Sequence, residues 1–252
     1  MAFLTFAARP MDREMIEFIV APATLPPETR IYAIGDIHGC LDRLVQLHEA
    51  IAADLLARPV ADALLLHIGD YIDRGPDSAQ VVAYLRDPNS VPGTRVVNLM
   101  GNHEDMFLKA MVTEDDAVAA NWLMNGGRET LASWHVPHKL RHTAWVDRLP
   151  AMELDFLRDL TISHREGPYF FAHAGIRPGV ALDQQDRHDL MWIREPFLSF
   201  KGDLGVVVVH GHTPGRVPVV RPNRVGIDTG AVYGGELTCV VLETDKLAFM
   251  TA

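Results

Sequence analysis

Three short segments place carboxylates, imidazoles and an amide at the ends of apolar runs: Gly35-Asp36-Ile37-His38-Gly39, Gly69-Asp70-Tyr71-Ile72-Asp73-Arg74-Gly75 and Gly101-Asn102-His103-Glu104. Asp36, His38, Asp70 and Asn102 together offer hard oxygen and nitrogen donors, a set that suits Mn, Fe, Zn or Mg. Flanking glycines let the backbone turn sharply beside an ion. One Asp-x-His could as easily be a turn cap. Three polar turns in chain order, each after its own apolar run, point instead to a metal site.

These segments resemble the GDxHG, GDxxDRG and GNHE motifs of the metal-dependent phosphoprotein phosphatases, the Ser/Thr phosphatase superfamily that includes small bacterial and phage enzymes. Phe171-Ala172-His173-Ala174-Gly175 and Gly211-His212-Thr213-Pro214 resemble the remaining ligand motifs. The likeness runs from about Ile31 to the C-terminus, with no departure at a metal position. It implies two divalent ions, Mn first and Fe or Zn as alternatives. Asp36, His38 and Asp70 would hold one ion. Asp70, Asn102, His173 and His212 would hold the other, with Asp70 bridging. A hydroxide shared between the ions would attack phosphorus directly. His103 would be the general acid, oriented by Asp73, whose carboxylate would also raise the imidazole pKa. Arg74 would hold phosphate oxygens through its planar guanidinium. Arg194 matches an arginine between the last two ligand motifs of small members, with a surface salt bridge as the alternative. Tyr233, in Asp228-Thr229-Gly230-Ala231-Val232-Tyr233-Gly234-Gly235, resembles a tyrosine at the active-site rim, although the same glycines also suit a strand-to-strand turn. His210 would stand on the same side of a strand as His212 and is expected behind the ligands rather than among them.

The elements that must present these residues follow from hydrophobic period. Arg30–Ile34, Ala63–Ile68 and Thr94–Met100 read as strands. Leu44, Leu47, His48, Ile51 and Leu55 recur at helical spacing, which predicts a helix over Leu41–Ala57. Asp77–Arg86 is the next helix, so the order is strand–helix–strand–helix–strand, a parallel arrangement with right-handed crossovers. Each metal segment then lies at the carboxyl end of a strand, where open α/β sheets hold ligands. Glu104–Leu149 reads as a mainly helical insertion, with Asn125-Gly126-Gly127 ending one of its helices. Phe156–Ser163 and Tyr169–Ala172 read as strands, and Val206–Val209 as a third. Val225–Asp228, Leu237–Leu242 and Leu247–Met250 suggest a second, more antiparallel sheet. The fold class is therefore α/β. The resemblance implies a four-layer metallophosphoesterase sandwich, two mixed sheets face to face with helices outside. Residues 1–29 read as an N-terminal extension and 30–252 as one domain. Met11–Val20 could be a short helix or a strand.

The chain has 252 residues, a 48% apolar share, a 22% charged share and a net charge of −10. That length supports one substantial core. The negative balance argues against a nucleic-acid surface, which usually needs a basic face. Cys40 and Cys239 form no disulfide framework, and a cytoplasmic location is the simple expectation. No apolar run is long enough to span a membrane, and Met1–Phe6 lacks the features of a signal peptide.

The leading expectation is hydrolysis of phosphomonoesters, foremost phosphoserine and phosphothreonine in proteins. The rival is a symmetrical dinucleoside tetraphosphate hydrolase with the same metals. Those relatives resemble GDxxARG and GNHD, whereas this chain carries Asp73 before Arg74 and Glu104 after His103. A non-catalytic metal-binding scaffold is the third possibility, but such a protein would be expected to lose a ligand or the acid.

Overall fold

The computed structural model describes residues 17–252. The readings of residues 1–6 and of the first part of 11–20 lie outside the described residues. The chain forms β1 (Ile19–Val20), β2 (Thr29–Ile34), α1 (Leu41–Ala57), β3 (Asp62–His67), α2 (Ser78–Leu85), β4 (Arg95–Asn98) and α3 (Asn102–Val112). It continues through α4 (Asp116–Trp122), α5 (Arg128–Ser133), α6 (Ala151–Arg158), β5 (Ser163–Glu166), β6 (Tyr169–Ala172) and α7 (Arg187–Trp192). It ends with β7 (Val207–His210), β8 (Val219–Arg221), β9 (Arg224–Gly226), β10 (Thr238–Glu243) and β11 (Lys246–Thr251).

Two mixed sheets stack face to face. The first has the order β1-β11-β10-β2-β3-β4, the second β5-β6-β7-β9-β8. Strands β2, β3 and β4 are parallel neighbours, as are β6, β7 and β9. The continuous apolar runs are sorted by the two-residue period of a strand. Ile31, Ala33, Leu64 and Leu66 face the second sheet and pack with Phe171, Val207, Val209 and Val225. Tyr32, Ile34 and Leu65 face the other way, onto Leu44, Leu47 and Ile51 of α1 and Val81 and Val82 of α2. The outer face of the second sheet, with Phe170, Ala172 and Val208, is covered by Leu190 of α7 and by Ile193 and Phe197 just after it. These helices complete the four expected layers. No described helix is long and apolar enough to cross a membrane.

Two expectations are corrected. Phe156 begins no strand: Ala151–Arg158 is helical, with Leu154 and Leu157 one turn apart and buried. Its short apolar run has the spacing of a helix face rather than the alternation of a strand. Strands β10 and β11 do not join the second sheet. Strand β10 pairs antiparallel with β2 and carries β11 on its far side. Its alternate residues Val240 and Leu242 enter the space between the sheets, while Cys239 and Val241 enter the core beneath the helices. Such a strand needs cover on both faces, and the middle of the first sheet supplies it. Asn125-Gly126-Gly127 ends a helical stretch as expected: the chain breaks at Gly126, φ 107°, and α5 starts directly after it.

The last residues before β2 dock on the first sheet. Ile19 pairs with Leu247, Leu25 is buried between the sheets, and Tyr169 Oη donates to Ala23 O at 2.8 Å.

Candidate metal centre

Parallel pairing puts the turns after β2, β3 and β4 along one sheet edge. His173 and His212, just past the ends of β6 and β7, reach the same place from the second sheet. Crowding at this edge shows in the backbone. Among the described residues, His38, Asp70, Asp73, Arg74 and His212 are five of the eight non-glycine positions with positive φ, at 44°, 54°, 72°, 71° and 64°. Such conformations cost about 1–3 kcal/mol each and persist only where surrounding structure holds them. Glycine is required at two approaches: a side chain on Gly101 would collide with the Asp70 carboxylate, and one on Gly211 with that of Asp36.

The six expected ligands converge. Asp70 Oδ2 lies 3.4 Å from His38 Nε2 and 3.4 Å from His173 Nε2, between the two imidazoles. Asn102 Oδ1 lies 2.9 Å from His173 Nε2 and 2.8 Å from His212 Nδ1. Asp36 accepts the backbone N–H of His212 at 3.1 Å. Two carbonyls set the imidazole tautomers: His38 Nδ1 donates to Ile72 O at 2.7 Å, and His173 Nδ1 donates to Ile68 O at 3.1 Å. Each Nε2 therefore turns a lone pair inward, as a metal ligand must.

The electrostatics fit the same use. Burial pushes the Asp36 carboxyl well above its usual range, reinforced by Asp228 and Asp70, and burial raises Asp70 as well. Burial lowers His173 to about 3 and His212 to about 2, so both rings are neutral. Clustered buried carboxylates among neutral imidazoles form a donor set that divalent cations would neutralise. Asp36, Asp70 and His173 place ligand atoms within 4.8 Å of one another, as do His38, Asp70 and His103. The residues present thus fit a pair of cations sharing Asp70.

His103 stands at the edge of this cluster, with Nε2 3.9 Å from Asp70 Oδ2 and Nδ1 2.7 Å from Asp73 Oδ2. The expected rise of its pKa is not met. Burial lowers it to about 4, outweighing the pull of Asp70. The reason is that an imidazolium here gives up its hydration and the Arg74 charge opposes it, while Asp73 shares its oxygens with other donors. Those donors went unnoticed in the sequence. Trp122 Nε1 lies 3.0 Å from both Asp73 oxygens, and Thr130 Oγ1 donates to Asp73 Oδ1 at 2.6 Å.

Glu104 is a second residue whose role the motif alone does not reveal. Its Oε2 accepts the N–H groups of Asp70 and Gly101 at 2.8 and 2.9 Å. Its Oε1 accepts those of Tyr71 and Ile72 at 2.8 and 3.2 Å. One carboxylate thereby ties the second metal turn to the third. Asp228 was likewise overlooked: this third carboxylate acts on Asp36, and burial raises it to about 6.

The phosphate-side candidates sit on the rim. The Arg74 guanidinium contacts His38 Nε2 and lies 5.5 Å from the Tyr233 ring centre. Tyr233 itself is 65% exposed. Arg194 is exposed and makes no ion pair among the described residues, so the salt-bridge alternative is not observed. Its charge lowers the pKa of His212. His210 stays behind the ligands, with Nδ1 3.0 Å from Gly211 O.

Residues 29–245 match the family model described as calcineurin-like phosphoesterase. The chain belongs to that family. Among calcineurin-like phosphoesterases it is 32% identical to Serine/threonine-protein phosphatase 1 of Salmonella typhimurium, over 82% of this chain and 89% of that protein. It is 38% identical to the symmetrical Bis(5'-nucleosyl)-tetraphosphatase of Dechloromonas aromatica, over 86% of this chain and 94% of the other. A crystal structure of a putative diadenosine tetraphosphatase shares the fold at a TM-score of 0.63 and 21% identity, covering 92% of this chain and 98% of that one. This calcineurin-like phosphoesterase is thus a phosphoester hydrolase whose relatives divide between two substrate classes.

Proposed function

We propose that the protein removes phosphate from phosphoserine and phosphothreonine in proteins. Asp36, His38, Asp70, Asn102, His173 and His212 would hold two divalent ions, Mn foremost. When bound, the ions supply Lewis-acid polarisation of the phosphoryl oxygens and lower the pKa of water. The observation that carries the reading is the placement of His103. Its Nε2 faces the Asp70 carboxylate while Nδ1 is held by Asp73, which suits delivery of a proton to the departing alkoxide.

In this reading, water attacks phosphorus, the bond from phosphorus to the serine or threonine oxygen breaks, and the His103 proton goes to that oxygen. An alkoxide is a poor leaving group, so proton delivery matters most for such substrates. Arg74 offers a planar pair of donors to the phosphoryl oxygens, and the negative charge drawn there favours the imidazolium form of His103. Arg194 and Tyr233 line the approach. An open groove of about 370 Å³, lined by Met106, Lys109, Val118, Asn121 and Trp192 among others, adjoins the site. Trp192 reaches it from beside His212, with ring centres 6.2 Å apart. The groove leaves room for the chain that carries the phosphate.

The second reading, hydrolysis of symmetrical dinucleoside tetraphosphates, is favoured by the relative at 38% identity. Asp73 and Glu104 weigh against it, because the relatives of that branch resemble GDxxARG and GNHD. The deciding experiment measures metal content and compares kcat/KM on phosphopeptides and diadenosine tetraphosphate. Preference for phosphopeptides supports the proposal. Preference for the dinucleotide reverses it.

A further inference from the structure

We infer that Trp122 and Thr130, both in the helical insertion, are positioning residues for His103 that act through Asp73. The inference rests on the proposed role of His103 as proton donor. Asp73 is fully buried and receives His103 Nδ1 at 2.7 Å, Trp122 Nε1 at 3.0 Å from each oxygen, and Thr130 Oγ1 at 2.6 Å. The donors around Asp73 favour its carboxylate form. An indole N–H only donates. The Thr130 oxygen accepts the Asp73 N–H at 2.8 Å, so its own hydrogen is free for Asp73 Oδ1. Burial pushes the Asp73 carboxyl well above its usual range, and the Thr130 and Trp122 donors oppose that rise; in the carboxylate form His103 carries hydrogen on Nδ1, and Nε2 is the atom presented to the metal cluster.

The same insertion also holds the strained turn. Asp73 and Arg74 have φ of 72° and 71°. Asp73 N is shared between Thr130 Oγ1 and Ser78 Oγ at 3.1 Å, and Arg74 N donates to Gly126 O at 3.2 Å. Trp122 is rigidly seated, with Phe107 and Trp145 ring centres at 5.3 and 5.7 Å and Gly127 against its face. A tryptophan that merely fills the core does not need this aim. Neighbouring Trp145 is also buried, and its Nε1 has no partner among the described residues.

The test uses the metal-loaded full chain and a series of aryl phosphates, from good leaving groups such as 4-nitrophenol to poor ones such as phenol. Variants are Trp122→Phe, Thr130→Val, Thr130→Ser and, as reference, His103→Asn. Metal content and melting temperature are measured for each. We expect Trp122→Phe and Thr130→Val to keep their metals and to lose about tenfold or more in kcat on phenyl phosphate, against about twofold on 4-nitrophenyl phosphate. Thr130→Ser, which keeps the hydroxyl, should follow the wild-type dependence. A uniform loss across all leaving groups, or none, overturns the inference while His103→Asn still shows the steep dependence. If His103→Asn shows no such dependence, the proton-donor reading fails and this inference falls with it.

Discussion

Glu104 Oε2 accepts the backbone N–H of Asp70 at 2.8 Å, so the third motif grips the second through one carboxylate that also takes the N–H groups of Gly101, Tyr71 and Ile72. Glu104→Gln turns one end of this acceptor into a donor facing N–H groups. Leaving buried N–H groups unpaired costs about 1–3 kcal/mol each. We expect a clearly lower melting temperature and weaker metal uptake, because Asp70 is no longer held at its positive φ. Glu104→Asp, one methylene shorter, should fall between the two. Calorimetric melting and metal titration check this, and wild-type metal affinity in Glu104→Gln would contradict it.

Asp70 lies between His38 and His173, and in the proposed function it is the carboxylate that serves both ions. Asp70→Asn should therefore lower bound metal from about two equivalents towards none and abolish turnover. His173→Ala should remove chiefly one equivalent. Elemental analysis of the purified variants reads the counts directly. Two retained equivalents in Asp70→Asn would rule out the bridging assignment.

Arg74 contacts His38 and faces Tyr233. Arg74→Lys keeps the charge but loses the planar fork, and kcat/KM should drop by about 10- to 100-fold. Tyr233 is exposed and offers its ring face, so Tyr233→Phe should be near neutral and Tyr233→Ala should raise KM by about threefold. Steady-state kinetics on one phosphopeptide separates these outcomes.

A buried histidine pair under the first sheet makes stability depend on pH. His67 Nδ1 donates to Asn98 Oδ1 at 2.7 Å, and His48 Nε2 lies 2.9 Å from His67 Nε2. Burial lowers His48 to about 4 and His67 to about 3. Both are neutral when folded and take up protons more readily when unfolded. Their contribution is complete above the unfolded pKa of about 6.5 and is lost as pH falls towards the folded values, by about 1.4 kcal/mol per pH unit per histidine. His48→Gln should halve the slope that the pair adds between about pH 6 and 4.5. Denaturant unfolding of the metal-loaded protein at several pH values measures the difference. Equal slopes in wild type and variant would exclude this source.

The convergence of the candidate ligands was legible because its cause is local. A strand end, a glycine-flanked turn and a helix start lie within a few residues of one another, and hydrophobic period marks each. The helix Leu41–Ala57 forms at its expected bounds for the same reason. Phe156 misled because an eight-residue helix carries too few apolar positions to tell its period from a strand's.

Other features depended on contacts between segments far apart in the chain. Strand β10 could have joined either sheet by its apolar run, and the choice rested on which sheet had two faces to cover. Trp122 and Thr130 look like ordinary core and helix residues until folding brings them 49 and 57 positions back along the chain to Asp73. The pKa of His103 turned on burial, a property of the packed molecule that residue spacing does not record. The motifs thus determined which atoms could bind metal. Tertiary packing decided which way the imidazoles point, what holds Asp73, and where each proton sits.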